Sequence, residues 1–223
     1  MSLTINEIET LIYKPEEISN ELAIRIISRE LKGKLTCDIF YRNNLKRYLA
    51  ETGSLDIDLK NVADVNKANN KLKFDFRGTI VDNQTNYFIG KPIRYNLDNP
   101  KDENDQEKYD EETAKFFLKH INTTPYPKLD KEVSRTAAIM GSAGRLYYYA
   151  NEKIRFVNLD RYEYLIIKDT TTNDTVIGLR YYFLINDEQK EILRVEFYDK
   201  KFVRFYIENT PVSMSFIVDP TEE

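Results

Sequence analysis

Tryptophan is absent from this chain, and cysteine and histidine occur once each, as Cys37 and His120. A lone cysteine closes no internal disulfide, which fits a reducing compartment. One histidine and one cysteine far apart in sequence do not supply the converging ligands of a zinc site. His120 is also the only imidazole base available to activate a nucleophile. It falls in the last turn of an amphipathic segment, where the helix dipole favours a cation in any case. Cys37 precedes a predicted helix whose N-terminus would activate a thiolate, although a small packed cysteine is the commoner case. A carboxylate-only cation site would have to come from "SLDIDLKNVADVN" or from the acidic run after Asn96. Asp56 and Asp58 share a face on an extended segment, but no EF-hand glycine and glutamate follow them, and they read as solvated carboxylates. The residues thus predict no catalytic group, no metal and no cofactor.

Two further shortages narrow the class. No window approaches the length of apolar sequence a membrane helix requires, and "MSLTINEIETL" has neither a basic start nor an apolar stretch, so neither a signal peptide nor a membrane span is expected. The chain is expected to be soluble and cytoplasmic. A basic excess is missing too: the net charge is −4, unlike a free-standing nucleic-acid binder. One local exception is Arg42, Lys46 and Arg47 beside Tyr41 and Tyr48, where basic and aromatic residues together could meet a nucleic-acid backbone. The alternative is an ordinary helix face whose stems pack on neighbours.

What is present is 223 residues with 41% hydrophobic and 31% charged, including 16 Tyr and 12 Phe. That suffices for a substantial core, with half-exposed tyrosines suited to strands or subunit contacts. The first part reads as helical. Leu3–Ile12 suits a short helix. A second is predicted from Pro15, with Glu16 and Glu17 in its first turn, ending at Gly33. A third covers Asp38–Leu49 and closes near Gly53. Val65–Ile89 is the longest candidate, with a stripe of Leu72, Phe76, Ile80 and Tyr87 widened by Val81 and Phe88. Ala114, Phe117, Leu118 and Ile121 mark a further helix, and Leu129, Val133, Ala137 and Met140 another, stopped by Gly141. Beyond Gly144 the period becomes two: Ile177, Leu179, Tyr181, Phe183 and Ile185 alternate, as do Leu193, Val195 and Phe197, and Val212, Met214, Phe216 and Val218. The expected class is α+β, one domain over 1–223, mainly helical over 1–142 and mainly antiparallel strands over 143–223.

The stretch "NYFIGKPIRY" tests for a phosphate loop. Only Gly90-Lys91 is present, at the end of a predicted helix, where the dipole presents its negative end. Gly90 is therefore read as a helix cap, and Pro92 as the residue that keeps the helix ended. "GSAG", from Gly141, is read as a helix-to-strand turn.

Four segments in order carry a resemblance: "DIFYRNNL" (38–45), "NNKLKFDFRGTIVDNQTNYFIGKPIRY" (69–95), "AAIMGSAGRLYYYANE" (137–152) and "TVIGLRYYF" (175–183). Together they resemble the N-terminal part of a portal protein of tailed double-stranded-DNA bacteriophages, of the siphophage type. Ala143, Gly144 and Arg145 stand where a simple Gly-x-Ala-Tyr is more usual. The resemblance implies a non-catalytic ring subunit, dodecameric in the full-length family, at a capsid vertex of the virion. It implies assembly in the bacterial host cytoplasm, with terminase, capsid or scaffold and head-completion proteins as partners, and DNA passing through the ring for packaging and ejection. It covers the wing only; the stem, clip and crown of the family have no counterpart here. The competing expectation is an independent nucleic-acid-binding or regulatory module of prophage origin.

Overall fold

The computed structural model describes residue 14 and residues 18–51, 75–95, 111–150, 153–168, 175–185, 189–210 and 214–220. Within them four helices precede seven strands: α1 (Asn20–Tyr48), α2 (Phe76–Phe88), α3 (Glu111–Thr123), α4 (Tyr126–Met140), β1 (Gly144–Ala150), β2 (Lys153–Leu159), β3 (Tyr164–Lys168), β4 (Thr175–Ile185), β5 (Glu191–Tyr198), β6 (Val203–Thr210) and β7 (Ser215–Val218). The class is α+β with antiparallel sheets, as the change of period predicts. Residues 1–42 with 161–223 form one compact unit and residues 43–160 a second.

The first unit is a helix laid on a sheet. α1 begins at Asn20, later than Pro15 suggests, because the Ser19 hydroxyl accepts the Leu22 N–H at 3.2 Å and caps the first turn. It does not stop at Gly33. Leu22, Ala23, Ile26, Ile27, Leu31, Lys34 and Asp38 form one buried row that crosses the glycine in register, so packing overrides a local stop signal and two expected helices are one. That row meets a five-stranded antiparallel sheet of order β3-β4-β5-β6-β7. Register places Leu179 opposite Phe197, and Val195 opposite both Tyr181 and Tyr206. These side chains and Ile177, Leu193 and Phe216 close on the helix as one apolar core. The alternation fails to predict burial at Phe183 and Ile185, which are exposed.

The second unit contains α2, α3, α4 and the two-stranded sheet β1-β2. α2 starts at Phe76, inside the longer helix expected from Val65, since the Asp75 carboxylate accepts the Gly78 N–H at 2.7 Å as an N-cap. Val65 and Leu72 lie outside the described residues. Of the predicted apolar stripe, Val81 is buried and the other described members are exposed. Phe76, Ile80 and Tyr87 are 69%, 57% and 95% exposed, and the buried row is Gly78, Val81, Thr85 and Ile89. At about 100° per residue the two rows lie on nearly opposite sides of the helix.

Gly141 closes α4 at φ 84°, donating its N–H to the Ala137 carbonyl. Gly90 has another constraint. α2 is capped by Ile89, whose N–H reaches Thr85, and a Cβ at Gly90 would meet the Asn86 carbonyl oxygen at 2.3 Å. Close backbone approach, not left-handed geometry, is what excludes a side chain there. The expected helix over Leu3–Ile12 lies outside the described residues, as do Gly53, Asp56, Asp58 and Val212.

Candidate interaction surface

Arg42 is exposed on α1, its guanidinium stacked over the Tyr162 ring at 4.2 Å. Lys46 is exposed one helical turn further on, and Arg47 is half-buried. Lys46 and Arg47 both lie in the last turn, where the helix dipole favours cations without any ligand. Of the flanking aromatics, Tyr41 lies between two cations, with Lys34 at 5.1 Å and Arg161 at 5.3 Å from its ring. Tyr48 donates to Asp82 at 3.3 Å.

Sequence reasoning missed three polar clusters, and these hold the surfaces in place. In the first unit Lys34 and Asp38, one turn apart and both buried, are ion-paired. Lys34 also donates to the Arg161 carbonyl at 2.8 Å, and the Tyr181 hydroxyl donates to Asp38 at 2.6 Å. Burial pulls the Lys34 ammonium below its ordinary value, against the opposing effect of Asp38. Burial, reinforced by Asp38, pushes the Tyr181 hydroxyl up. The network fastens the polar end of α1 to β4 where the apolar core ends. The i,i+4 spacing of Lys34 and Asp38, in register with Leu31, was the available signal.

Glu196 is the centre of the second cluster. It is buried and accepts from Arg180 at 3.2 and 3.3 Å, from Tyr182 at 2.9 Å and from Tyr198 at 2.6 Å. Strand alternation explains the division of labour in "RYY": Tyr181 turns in to Asp38, while Arg180 and Tyr182 turn to Glu196. Burial, with the carboxylate beside them, raises both tyrosine hydroxyls.

The third cluster is in the second unit and answers what "NYFIGKPIRY" is for. The Tyr95 hydroxyl donates to Asp130 at 2.6 Å, and Arg145 pairs with the other Asp130 oxygen at 2.8 Å. Arg145 also donates to Asn158 at 3.0 Å and lies over Phe156 at 4.4 Å. Tyr95, Tyr126 and Phe156 stack in sequence at 4.9 and 5.1 Å. The glycine-proline corner is therefore followed by a tyrosine that anchors the exit segment to α4. Arg145, the departure from the usual small-residue pattern, has a carboxylate waiting for it. Burial and then Asp130 push the Tyr95 hydroxyl up to about 12.

His120 shares a 2.9 Å hydrogen bond with Tyr126, Cys37 is exposed, and among the described residues no group of three metal-ligating side chains converges. No described helix is long and apolar enough to cross a membrane. What the first unit does offer is a groove of about 450 Å³ beside α1, lined by Leu35, Ile39, Arg42, Tyr162, Phe183 and Glu191 among others. The second unit presents the outward face of α2.

The chain is 25% identical over 150 residues to the portal protein of Bacillus phage SPP1. That alignment takes in 65% of this chain and 27% of the relative, so the chain spans about a quarter of the phage protein's length. The family described as "Phage portal protein, SPP1 Gp6-like" matches from residue 24 to residue 215. The match takes in most of α1, strands β1 to β6 and all three polar clusters, and the chain belongs to this phage portal protein family.

Proposed function

We propose that this chain forms the wing part of a portal subunit, a structural piece of a ring at the capsid vertex of a phage. The observation that carries the reading is the family match over residues 24–215, which includes all of the second unit and much of the first. The interior agrees with it: buried charges are paired with one another and with tyrosines, as in a scaffold. In this reading the ring, dodecameric as in the full-length family, conducts double-stranded DNA during packaging and ejection. It engages terminase, capsid or scaffold and head-completion proteins, and assembly takes place in the host cytoplasm before the portal becomes part of the virion.

Light scattering across a concentration series, followed by negative-stain electron microscopy, tests this. Closed rings are the expected species. A chain that stays monomeric at every concentration would count against ring formation by it.

A further inference from the structure

We propose that the free edge of β4, where it borders the α1 groove, takes an extended segment of a partner protein as an added strand. The inference goes beyond the portal reading and does not depend on ring formation.

β4 runs from Thr175 to Ile185, but β3 accompanies only part of it. Tyr164 pairs with Arg180, the Tyr181 N–H donates to the Glu163 carbonyl at 2.9 Å, and the chain before β3 turns at Arg161 and Tyr162. β5, on the other side, stays paired as far as Ile185 opposite Glu191. In an antiparallel ladder the main-chain groups of alternate residues point to the same side. Those of Phe183 and Ile185 therefore share the direction of Tyr181, into a lane that no described strand fills. That lane is the groove. Tyr181, Tyr182 and Phe183 all line it. Successive residues of a strand alternate in face, so they border one cavity only along the strand's edge. α1 supplies the other wall through Leu35 and Ile39, one turn apart.

This edge lacks the protection that sheets normally give such a position. β3 has a register shift between Ile167 and Lys168, and β7 is only four residues long. Tyr182 to Ile185 carry no charge, no proline and no irregularity, and Phe183 and Ile185 are 49% and 74% exposed. Unpaired main-chain groups beside an apolar wall match a polypeptide backbone, which repeats its donors and acceptors at the strand spacing.

Charges at the two ends of the groove set the occupant's chemistry. Arg42 lies over Tyr162, at the β3 end, and Glu191 lies opposite Ile185, at the far end. Neither has an ion pair among the described residues. The other two carboxylates lining the groove are not free: Asp38 is held by Lys34 and Tyr181, and Glu163 has a contact of its own. A segment antiparallel to β4, in line with β3, meets Glu191 near its N-terminal side and Arg42 near its C-terminal side. On its face toward α1 the occupant therefore carries a basic residue, then apolar residues, then an acidic residue, at alternate positions. The described strands of this chain already pair within their own sheets, which leaves that segment to a partner protein.

The capped peptide KTVTVTE is the probe, added to the intact chain and followed by NMR shifts and amide hydrogen exchange. Exchange at Phe183 and Ile185 should slow roughly tenfold or more at saturation. The same peptide with its interior amides N-methylated keeps the side chains but cannot pair, and should not bind. Ile185→Pro removes an edge-facing N–H, leaves the ladder to β5 intact and should abolish binding. Arg42→Glu and Glu191→Lys should each raise Kd roughly tenfold. The charge-exchanged peptide ETVTVTK should prefer the chain carrying both substitutions to the wild type. Thermal melts serve as the folding control. No binding of KTVTVTE at millimolar peptide would overturn the proposal, as would equal binding of the N-methylated form or indifference to the charge changes. Protection of Phe183 and Ile185 that rises with protein concentration alone would also overturn it, because a second copy would then fill the lane. The portal reading is decided by the ring experiment and not by this one.

Discussion

The two units of this chain are stabilised differently. In the first, Ile26, Ile27, Leu31, Val195, Phe197 and Tyr206 are almost fully withdrawn from solvent and form one continuous helix-on-sheet core. Among the described residues of the second, the buried apolar side chains are Val81, Ile89, Tyr126, Met140 and Leu159. Its order relies on directional contacts: the Tyr95–Tyr126–Phe156 stack, the Asp130–Arg145 pair, and Asn158 donating to the Leu129 carbonyl at 3.0 Å. Burial is non-directional and scales with area, whereas hydrogen bonds and ion pairs fix geometry while adding little net stability each. A unit built the second way holds its surfaces in defined positions and leaves large apolar groups such as Tyr87 facing outward.

The largest expected effect breaks the first unit alone. Phe197 is fully buried, with the Tyr206 ring edge-on at 6.3 Å. Phe197→Ala should cost about 3–5 kcal/mol through lost transfer energy and the cavity left behind. Hydrogen exchange read by mass spectrometry should show protection falling across β4, β5 and β6, with α4 and β2 retaining theirs. A uniform fall across both units would mean that they share one cooperative core and that the contrast is false.

A smaller effect sharpens the other side. Tyr95→Phe removes the hydrogen bond to Asp130 and should destabilise the second unit by about 1 kcal/mol at neutral pH. The alkaline behaviour carries a sign. The Tyr95 hydroxyl titrates near its ordinary value of 10.0 when unfolded and at about 12 when folded. The unfolded state thus gives up its proton first, and the stabilisation is complete below pH 10 and lost as pH rises through 12. Exchange protection of β1 and β2 should therefore fall between pH 10 and 12 in the wild type, and less steeply in Tyr95→Phe. Equal slopes in the two proteins would remove Tyr95 from the account. Tyr181 and Tyr198, also raised, add the same sign to the first unit.

How far these features were legible depended on whether they were local. The alternation of Ile177, Leu179 and Tyr181, and of Leu193, Val195 and Phe197, reports a pleated strand with one buried face, and those residues are buried. Periodicity along α2 was equally legible, but it identifies an apolar face without saying what covers it. Within the expected stripe Val81 is buried, with Gly78 and Thr85, while Ile80 and Tyr87 are exposed. Asp75 also interrupts the longer expected helix, through a side-chain cap that an apolar period does not register. The clusters on Asp38, Glu196 and Asp130 were illegible for another reason. Lys34–Asp38 and Tyr198–Glu196 are close in sequence, but the donors Tyr181, Arg180, Tyr182, Tyr95 and Arg145 come from other segments, and tertiary packing and sheet register, not spacing, bring them to these carboxylates. Arg145 was visible as a departure from a pattern, but its reason, Asp130, was not.

Gly33 gives the smallest effect and the cleanest test of packing against local signal. A glycine inside a helix costs about 0.5–1 kcal/mol relative to alanine, because the unfolded chain has more freedom to lose. Here the residue is exposed, and a Cβ placed on it meets nothing within 4 Å. Gly33→Ala should therefore raise stability by about that amount and move the melting temperature up by a few degrees. Exchange should slow around Leu31 to Asp38, the stretch where the buried row passes from apolar side chains to the Lys34–Asp38 pair. A lower melting temperature would mean that the helix needs a break at Gly33, and α1 would then be two helices meeting at the edge of the first unit's core.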